Sequence, residues 1–186
     1  FTYNSRNLLE TFTQKNNTQS NNLQGIYAYN YQGVRNKKEI KDVSTNQLLK
    51  TVNYYLDGNK IIGEDIVYNS NNNETKKLRY FYDVEGIIGI YYSGSYYSLL
   101  KDSIGNIKGI VHNGLLIGEY EYDAWGNHTI RSYINNDSSN INKEDEEFIL
   151  YNNPFRYKGY YYDVETQLFY CNSRYYSPEL CRWISP

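Results

Sequence analysis

A Tyr-x-Tyr pair followed by a turn recurs along this chain, and that recurrence narrows the folds open to it more than any other feature. The pairs fall at Tyr27/Tyr29, Tyr80/Tyr82, Tyr120/Tyr122 and Tyr160/Tyr162, the last three spaced 40 residues apart. Side chains alternate along a strand, so both rings of a pair lie on one face. Turn sequences follow: Asn30-Tyr31-Gln32-Gly33, Asp83-Val84-Glu85-Gly86, Asp123-Ala124-Trp125-Gly126, and residues 163–166. An Asp or Asn heading such a turn accepts a hydrogen bond from the backbone two residues on, and a Gly three positions later supplies positive φ. A weaker copy, Tyr54-Tyr55-Leu56-Asp57-Gly58-Asn59, carries an Asp-Gly hairpin signal. Residues 1–12 read as a degenerate copy with Asn4 and Asn7 at its turn. Each unit is one hairpin, marginal alone and stable only against its neighbours. The expected fold is therefore all-β, a series of hairpins in one curved sheet.

Composition supports that reading. There are 24 Tyr but six Phe, two Trp and no Met. Tyrosine favours strands and supplies apolar area with a polar tip that needs a partner. Its interior is half-wet, or it walls something hollow. With 19 basic and 21 acidic residues and a net charge of −2, no basic stripe accumulates, so a nucleic-acid partner is not expected. No apolar run approaches a membrane span. The opening FTYNSRNLLETF is no signal peptide, and the chain reads as an internal or C-terminal piece whose export signal would lie upstream.

Three polar stretches interrupt the repeats: residues 14–22, 69–77 and 135–147. The first two read as long hairpin loops or local disorder, the third as a solvated acidic bulge, with a docking patch as the rival. Helix signal is thin, at most two turns over residues 43–53, and residues 96–122 read as a β-meander. Cys171 and Cys181 are ten apart. With a turn at 177–180, Tyr176 faces Cys181 and Cys171 faces Pro186, which offsets the thiols and favours two separate cysteines over a disulfide. No metal or cofactor is expected. His112 and His128 have no triad partners nearby and read as surface histidines. Trp125 reads as packed on the next hairpin, or as an exposed contact. The tyrosine ladders read as stacking between hairpins, with glycan binding as the alternative.

The motifs also carry a family likeness. Tyr-x-Tyr-Asp-x-x-Gly resembles the YD repeat of bacterial Rhs proteins, Tc toxin C subunits, wall-associated Gram-positive toxins and animal teneurins. Residues 97–127 followed by 153–186, with Tyr-Asp-Ala-Trp-Gly-Asn, Pro-Phe-Arg-Tyr-Lys-Gly and Arg-Tyr-Tyr-Ser-Pro-Glu-Leu in order, resemble the Rhs repeat-associated core. On that likeness, residues 1–96 are degenerate YD-repeat hairpins and 97–186 the core, with a loop inserted at 135–147.

The resemblance implies a hollow shell of hairpins closed by an inward-curling C-terminal plug, in a secreted or cell-surface bacterial protein. Its implied partners are the rest of the shell, a C-terminal toxin domain, and an associated toxin or secretion-system subunit. It also implies an aspartyl autoprotease that frees the toxin. Asp163 and Arg174 are the candidate catalytic residues. Asp163 is read either as a surviving acid or as a turn-initiating Asp. Arg174 is read either as orienting the cleavage site or as an arginine stacked on aromatic rings to hold the plug. Two departures weaken the protease: Ser177-Pro178 stands where the pattern has Asp-Pro, and Cys181 where it has Gly. A further Asp would follow Pro186. Aspartic chemistry needs two carboxylates sharing a proton, so this chain is expected not to cleave itself. A cell-surface adhesion or glycan-binding module is the alternative function.

Overall fold

The computed structural model describes residues 1–14, 22–69, 73–135 and 140–184. Twelve antiparallel strands form one sheet in strict chain order. They are β1 (Thr2–Tyr3), β2 (Leu9–Gln14), β3 (Leu23–Tyr29), β4 (Arg35–Asp42), β5 (Leu48–Asp57), β6 (Lys60–Tyr68), β7 (Glu74–Asp83), β8 (Gly86–Tyr92), β9 (Ser95–Lys101), β10 (Ile107–His112), β11 (Leu115–Tyr122) and β12 (His128–Ser132). Among the described residues β1 and β12 do not pair, so the sheet stays open. It runs unbroken through residue 96, inside β9. Helix α1 (Lys143–Asn152) follows, then a second, four-stranded sheet: β13 (Tyr161–Asp163), β14 (Leu168–Cys171), β15 (Arg174–Ser177) and β16 (Arg182–Trp183).

The turns explain why the hairpins repeat. At Asn4, Asn30, Asp102 and Asp123 the side-chain oxygen accepts the N–H groups two and four residues on. The backbone closes each loop twice, from residue i to i+4 and from i+3 back to i. Position i+3 is left-handed throughout: Gly33, Gly105 and Gly126 at φ 82°, 84° and 94°, and Asn7 in the first loop at 59°. Asn tolerates that region better than other side chains, so the degenerate first copy keeps the same geometry. In the 57–60 hairpin Asp57 pairs with Lys60, which makes Gly58-Asn59 the two loop residues.

In the first three pairs the second tyrosine clamps its hairpin. Tyr29 donates to the Leu9 carbonyl at 2.8 Å, Tyr82 to Ile61 at 2.7 Å and Tyr122 to Ile107 at 2.7 Å. Each acceptor is the first or second residue of the preceding strand. The first tyrosine of those three pairs, Tyr27, Tyr80 or Tyr120, is buried on the inner face with Val52, Leu78, Ile90 and Ile110, whereas Tyr160 of the fourth pair is half-buried. The polar tip of the second ring thus finds a partner at the strand end while the first ring fills the core.

The C-terminal segment covers that inner face. Phe148 meets Tyr92 at 4.8 Å, Phe155 meets Tyr80 at 4.8 Å, Tyr161 meets Tyr54 at 5.6 Å and Tyr175 meets Tyr27 at 5.5 Å between ring centroids. The expected curved hairpin sheet with a C-terminal plug is the architecture found.

Several local expectations fail. Residues 48–53 are β-strand, not helix; Leu48, Thr51 and Val52 there fit a half-buried pleat between two strands, and that context overrides weak helical propensity. Of the stretch 69–77, residues 74–77 already belong to β7, and residues 70–72 lie outside the described residues, as do 15–21 of the first loop. The acidic bulge at 135–147 is in part the start of α1, whose Glu146, Phe148, Ile149 and Leu150 are buried; residues 136–139 lie outside the described set. Three acids in the first turn suit the positive end of the helix dipole. Tyr176 pairs with Trp183 and not with Cys181. Both thiols are free, as expected of two separate cysteines.

Leu150 is fully buried and fills the space over Gly118, where an added Cβ would stand 2.5 Å from it. Leu150→Ala is expected to destabilise the chain by ~2–5 kcal/mol in denaturant unfolding, the range for a buried Leu truncation. A loss under ~1 kcal/mol would mean that α1 lies outside the cooperative core.

Candidate functional site

The inner face of the large sheet is not wholly apolar. β4 aims Arg35 and Lys38 into the seam between the two sheets, β5 adds Lys50 and β6 adds Glu64. β13 and the turn after it deliver Asp163 and Glu165 from the other side. Arg35 and Asp163 are completely buried. Their pairing is bidentate, Nη1 to Oδ2 at 2.5 Å and Nη2 to Oδ1 at 3.0 Å. Lys38 Nζ bridges Asp163 Oδ1 at 2.8 Å and Glu165 Oε2 at 2.9 Å. Lys50 binds the other Glu165 oxygen. Glu64 accepts from the Tyr161 hydroxyl at 2.6 Å. Three cations thus meet three acids in a closed space.

Tyrosine rings wall this cluster. The Arg35 guanidinium carbon lies 4.3 to 5.9 Å from the ring centroids of Tyr170, Tyr54, Tyr161, Tyr27 and Tyr175. Tyr170 accepts the Arg35 backbone N–H at 2.8 Å, and Tyr175 accepts from its Nη1 at 3.2 Å. Arginine suits this role: its planar guanidinium stacks on rings while forking onto a carboxylate.

Burial pushes the Asp163 carboxyl up, but the Arg35 and Lys38 charges outweigh it and hold the group below its ordinary value. Burial likewise works against the Arg35 and Lys38 cations, and Asp163 more than restores both. Burial drives Glu64 upward. Burial and the neighbouring Lys38 pull Lys50 down to about 7, against the opposing pull of the Glu64 and Asp163 charges. With Arg35 and Lys38 both raised, Lys50 is the most easily neutralised cation of the cluster.

A second buried arginine is also walled by rings, with carbonyls and a histidine in place of a carboxylate. Arg156, 2% exposed, donates from Nε to the Asn153 carbonyl at 3.0 Å and from Nη2 to Tyr151 at 2.8 Å. It stacks over Tyr162 at 4.7 Å and Tyr120 at 5.4 Å, and its Nη1 meets His128 Nε2. Burial and the Arg156 charge lower His128 to about 4, which keeps the ring neutral and able to accept that hydrogen bond. His112 is also buried, with Nδ1 on Glu146 Oε1 at 2.8 Å and the ring stacked on Tyr97 at 4.4 Å. The expectation of surface histidines is therefore corrected: each tethers the plug region to the sheet. The inward tyrosines of the ladders are likewise core, while Tyr55, Tyr91 and Tyr96 remain exposed.

The two sequence candidates sit apart. Asp163 is sealed in the seam. Arg174 is exposed and stacks on Trp183 at 4.3 Å. Among the described residues they share no contact. Asp163 heads a turn, since its backbone carbonyl accepts the N–H groups of Thr166 and Gln167, but its carboxylate is spent on Arg35 and Lys38. Ser177 Oγ accepts the Leu180 N–H at 3.2 Å, and Cys181 adopts φ 53°, so both departures from the family pattern are absorbed in turn geometry. Trp125 lies in its turn half exposed. Among the described residues no cluster of His, Cys, Asp and Glu could hold a metal, and no helix is long and apolar enough to cross a membrane.

Sequence reasoning missed Arg35 and Lys38. One signal was available: Lys38 stands two residues before the buried Ile40 and so shares its inward face. A lysine there must find an acid.

Stability is expected to fall in two acid steps. As pH drops from 6.5 toward 4, the unfolded chain protonates His128 and the folded chain does not, so folding is disfavoured across that window. Below the ordinary carboxylate range the Asp163 contribution is lost as its depressed pKa is crossed. Denaturant unfolding over a pH series should show the first step flattened in His128→Gln. An unchanged slope would mean that His128 titrates normally in the fold.

No family model matches the chain. The chain is 27% identical over 164 residues to salivary gland surface protein 1 of Aedes aegypti, covering 84% of this chain and 4% of that protein. It is 29% identical over 155 residues to the tRNA nuclease WapA of Bacillus subtilis, covering 82% of this chain and 6% of that protein. Its fold matches a chain of the Photorhabdus luminescens Tc holotoxin pore containing TccC3, with a TM-score of 0.73 at 19% identity over 99% of this chain and 8% of that one. The chain therefore spans less than a tenth of the length of these proteins. The chain is thus similar to these proteins over most of its own length, and its fold is that of the matched Tc toxin chain.

Proposed function

We propose that this chain is a shell-and-plug segment of a secreted YD-repeat toxin, which encloses a C-terminal effector and positions the point of its release. The observation that carries this reading is the buried Arg35–Asp163–Lys38 lock. It fixes a C-terminal sheet against the inner face of an open hairpin sheet, at a place where a shell needs its plug seated. The open edges of the sheet, β1 and β12, present unpaired backbone groups that the rest of such a shell would continue. Partners are then the remaining hairpins and the effector itself.

In this reading Asp163 acts as a lock and not as a protease acid. A buried carboxylate held ionised by two cations has no proton to share, whereas aspartic proteolysis depends on a shared one. Arg174 holds the plug rim by stacking on Trp183. Adhesion remains the rival reading, and no single feature of the geometry favours it.

Intact mass of the full-length parent, with Asp163→Asn and Arg35→Met beside it, tests the assignment. A lock predicts that both variants open the plug to added protease and that neither differs from the other in self-cleavage. Loss of self-cleavage in Asp163→Asn alone, with the plug still protected, would make Asp163 catalytic. An uninterrupted continuation of repeats downstream, with no effector released, would favour adhesion.

A further inference from the structure

The outer end of the seam cluster brings together more than a salt bridge needs. Lys50 Nζ stands in direct contact with Glu165 Oε1 across the two sheets, and both side chains are largely buried. Among the described residues this is the one ion pair Lys50 makes. Lys38 Nζ holds the other oxygen of Glu165, Oε2, at 2.9 Å. A second carboxyl faces the same space. Lys50 and Tyr54 share one face of β5, and Tyr54 pairs with Glu64 on β6, so Glu64 lies on that face too. Glu64 is 2% exposed, accepts from the Tyr161 hydroxyl at 2.6 Å, and its charge acts on Lys50. The Tyr68 ring covers the amine, its centroid 5.9 Å from Lys50 Nζ.

An amine against a carboxyl, a second carboxyl to carry a proton, and a cation on the far oxygen are the parts of an amide-forming condensation. In water such a pair stays ionic, because both groups prefer their charged forms. Burial reverses the preference here, lowering Lys50 toward the neutral amine and raising Glu64 toward the acid. Lys38 is the poorer nucleophile, since Asp163 keeps it charged. The seam holds amine and carboxyl together at high effective concentration and excludes the water that would favour hydrolysis. We propose that Lys50 and Glu165 condense into an isopeptide bond, which joins the large sheet covalently to the plug.

The step balances within the cluster. Lys50 gives its ammonium proton to Glu64, and the neutral amine then adds to Glu165 Cδ as Glu64 protonates Oε1. Lys38 meets the charge left on Oε2. Glu64 takes a proton back from Nζ and passes it to the leaving hydroxyl. One C–N bond forms, one C–O bond breaks, one water leaves, and Glu64 ends as the carboxylate. Two buried charges are replaced by an amide whose carbonyl still accepts from Lys38.

Tryptic mapping of the folded, reduced full-length parent reads the bond directly. Trypsin does not cut after an acylated lysine, so residues 42–60 should stay whole and branched to residues 159–174, one water lighter than their sum. Lys50→Arg keeps the cation, removes the amine, and should abolish the branched peptide. Glu64→Gln keeps both reacting side chains and should slow its accumulation at least ~100-fold, the lower end for a lost proton carrier. The parent map decides the bond whether or not either variant folds. Linear peptides 42–50, 51–60 and 159–174 alone from the folded parent overturn the proposal. So does a branch at Lys38, or a branched peptide that forms as fast in folded Glu64→Gln.

Discussion

A guanidinium enclosed in tyrosine rings and forked onto a buried carboxylate is the contact on which the rest of this molecule depends. Arg35 belongs to the fourth strand of the large sheet, Asp163 to the small one, and 128 residues separate them. Neither charge could be buried alone without a penalty of several kcal/mol. Together, with Lys38 and Glu165, they fix the position and the register in which the two sheets meet. A purely aromatic seam would offer the same area with less specificity, because rings slide past one another and a bidentate ion pair does not. Arg156 does the same for the other end of the plug, among Tyr120, Tyr162 and His128.

This arrangement accounts for the tyrosine-rich composition. An inner face of Phe or Leu would leave no room for buried arginines. Tyrosine supplies ring faces for the cations and hydroxyls for the backbone, and it does so twice per hairpin. In the three pairs of the large sheet the first ring builds the core, and the second caps the start of the strand before it. The hairpins are therefore held both by their ladders and by clamps from their own repeat motif.

Much of the fold was legible in the sequence because the repeat is written in local chemistry. Asn4, Asn30, Asp102 and Asp123 each organise a loop within five residues, and no distant contact is needed to read them. The seam was not legible, because its logic is long-range. Asp163 follows a Tyr-x-Tyr pair as Asp123 does, yet its carboxylate leaves the turn to meet Arg35. The same limit hid α1. Its acidic first turn reads as solvated charge until Glu146 finds His112 across the sheet, and Phe148 to Leu150 were too short a run to signal a helix by period. Cys181 and Ser177, departures from the resembled family pattern, both take part in one turn, where Ser177 Oγ accepts the Leu180 N–H and the Pro178 carbonyl accepts the Cys181 N–H.

Hydrogen exchange in Arg35→Met tests the central claim most directly. Removing the guanidinium leaves Asp163 buried and unpaired, so protection across β13 to β15 should collapse while β7 to β11 keep theirs. Unchanged protection in β13 to β15 would show that the plug is held by aromatic packing alone and that the ion pair is not what seats it.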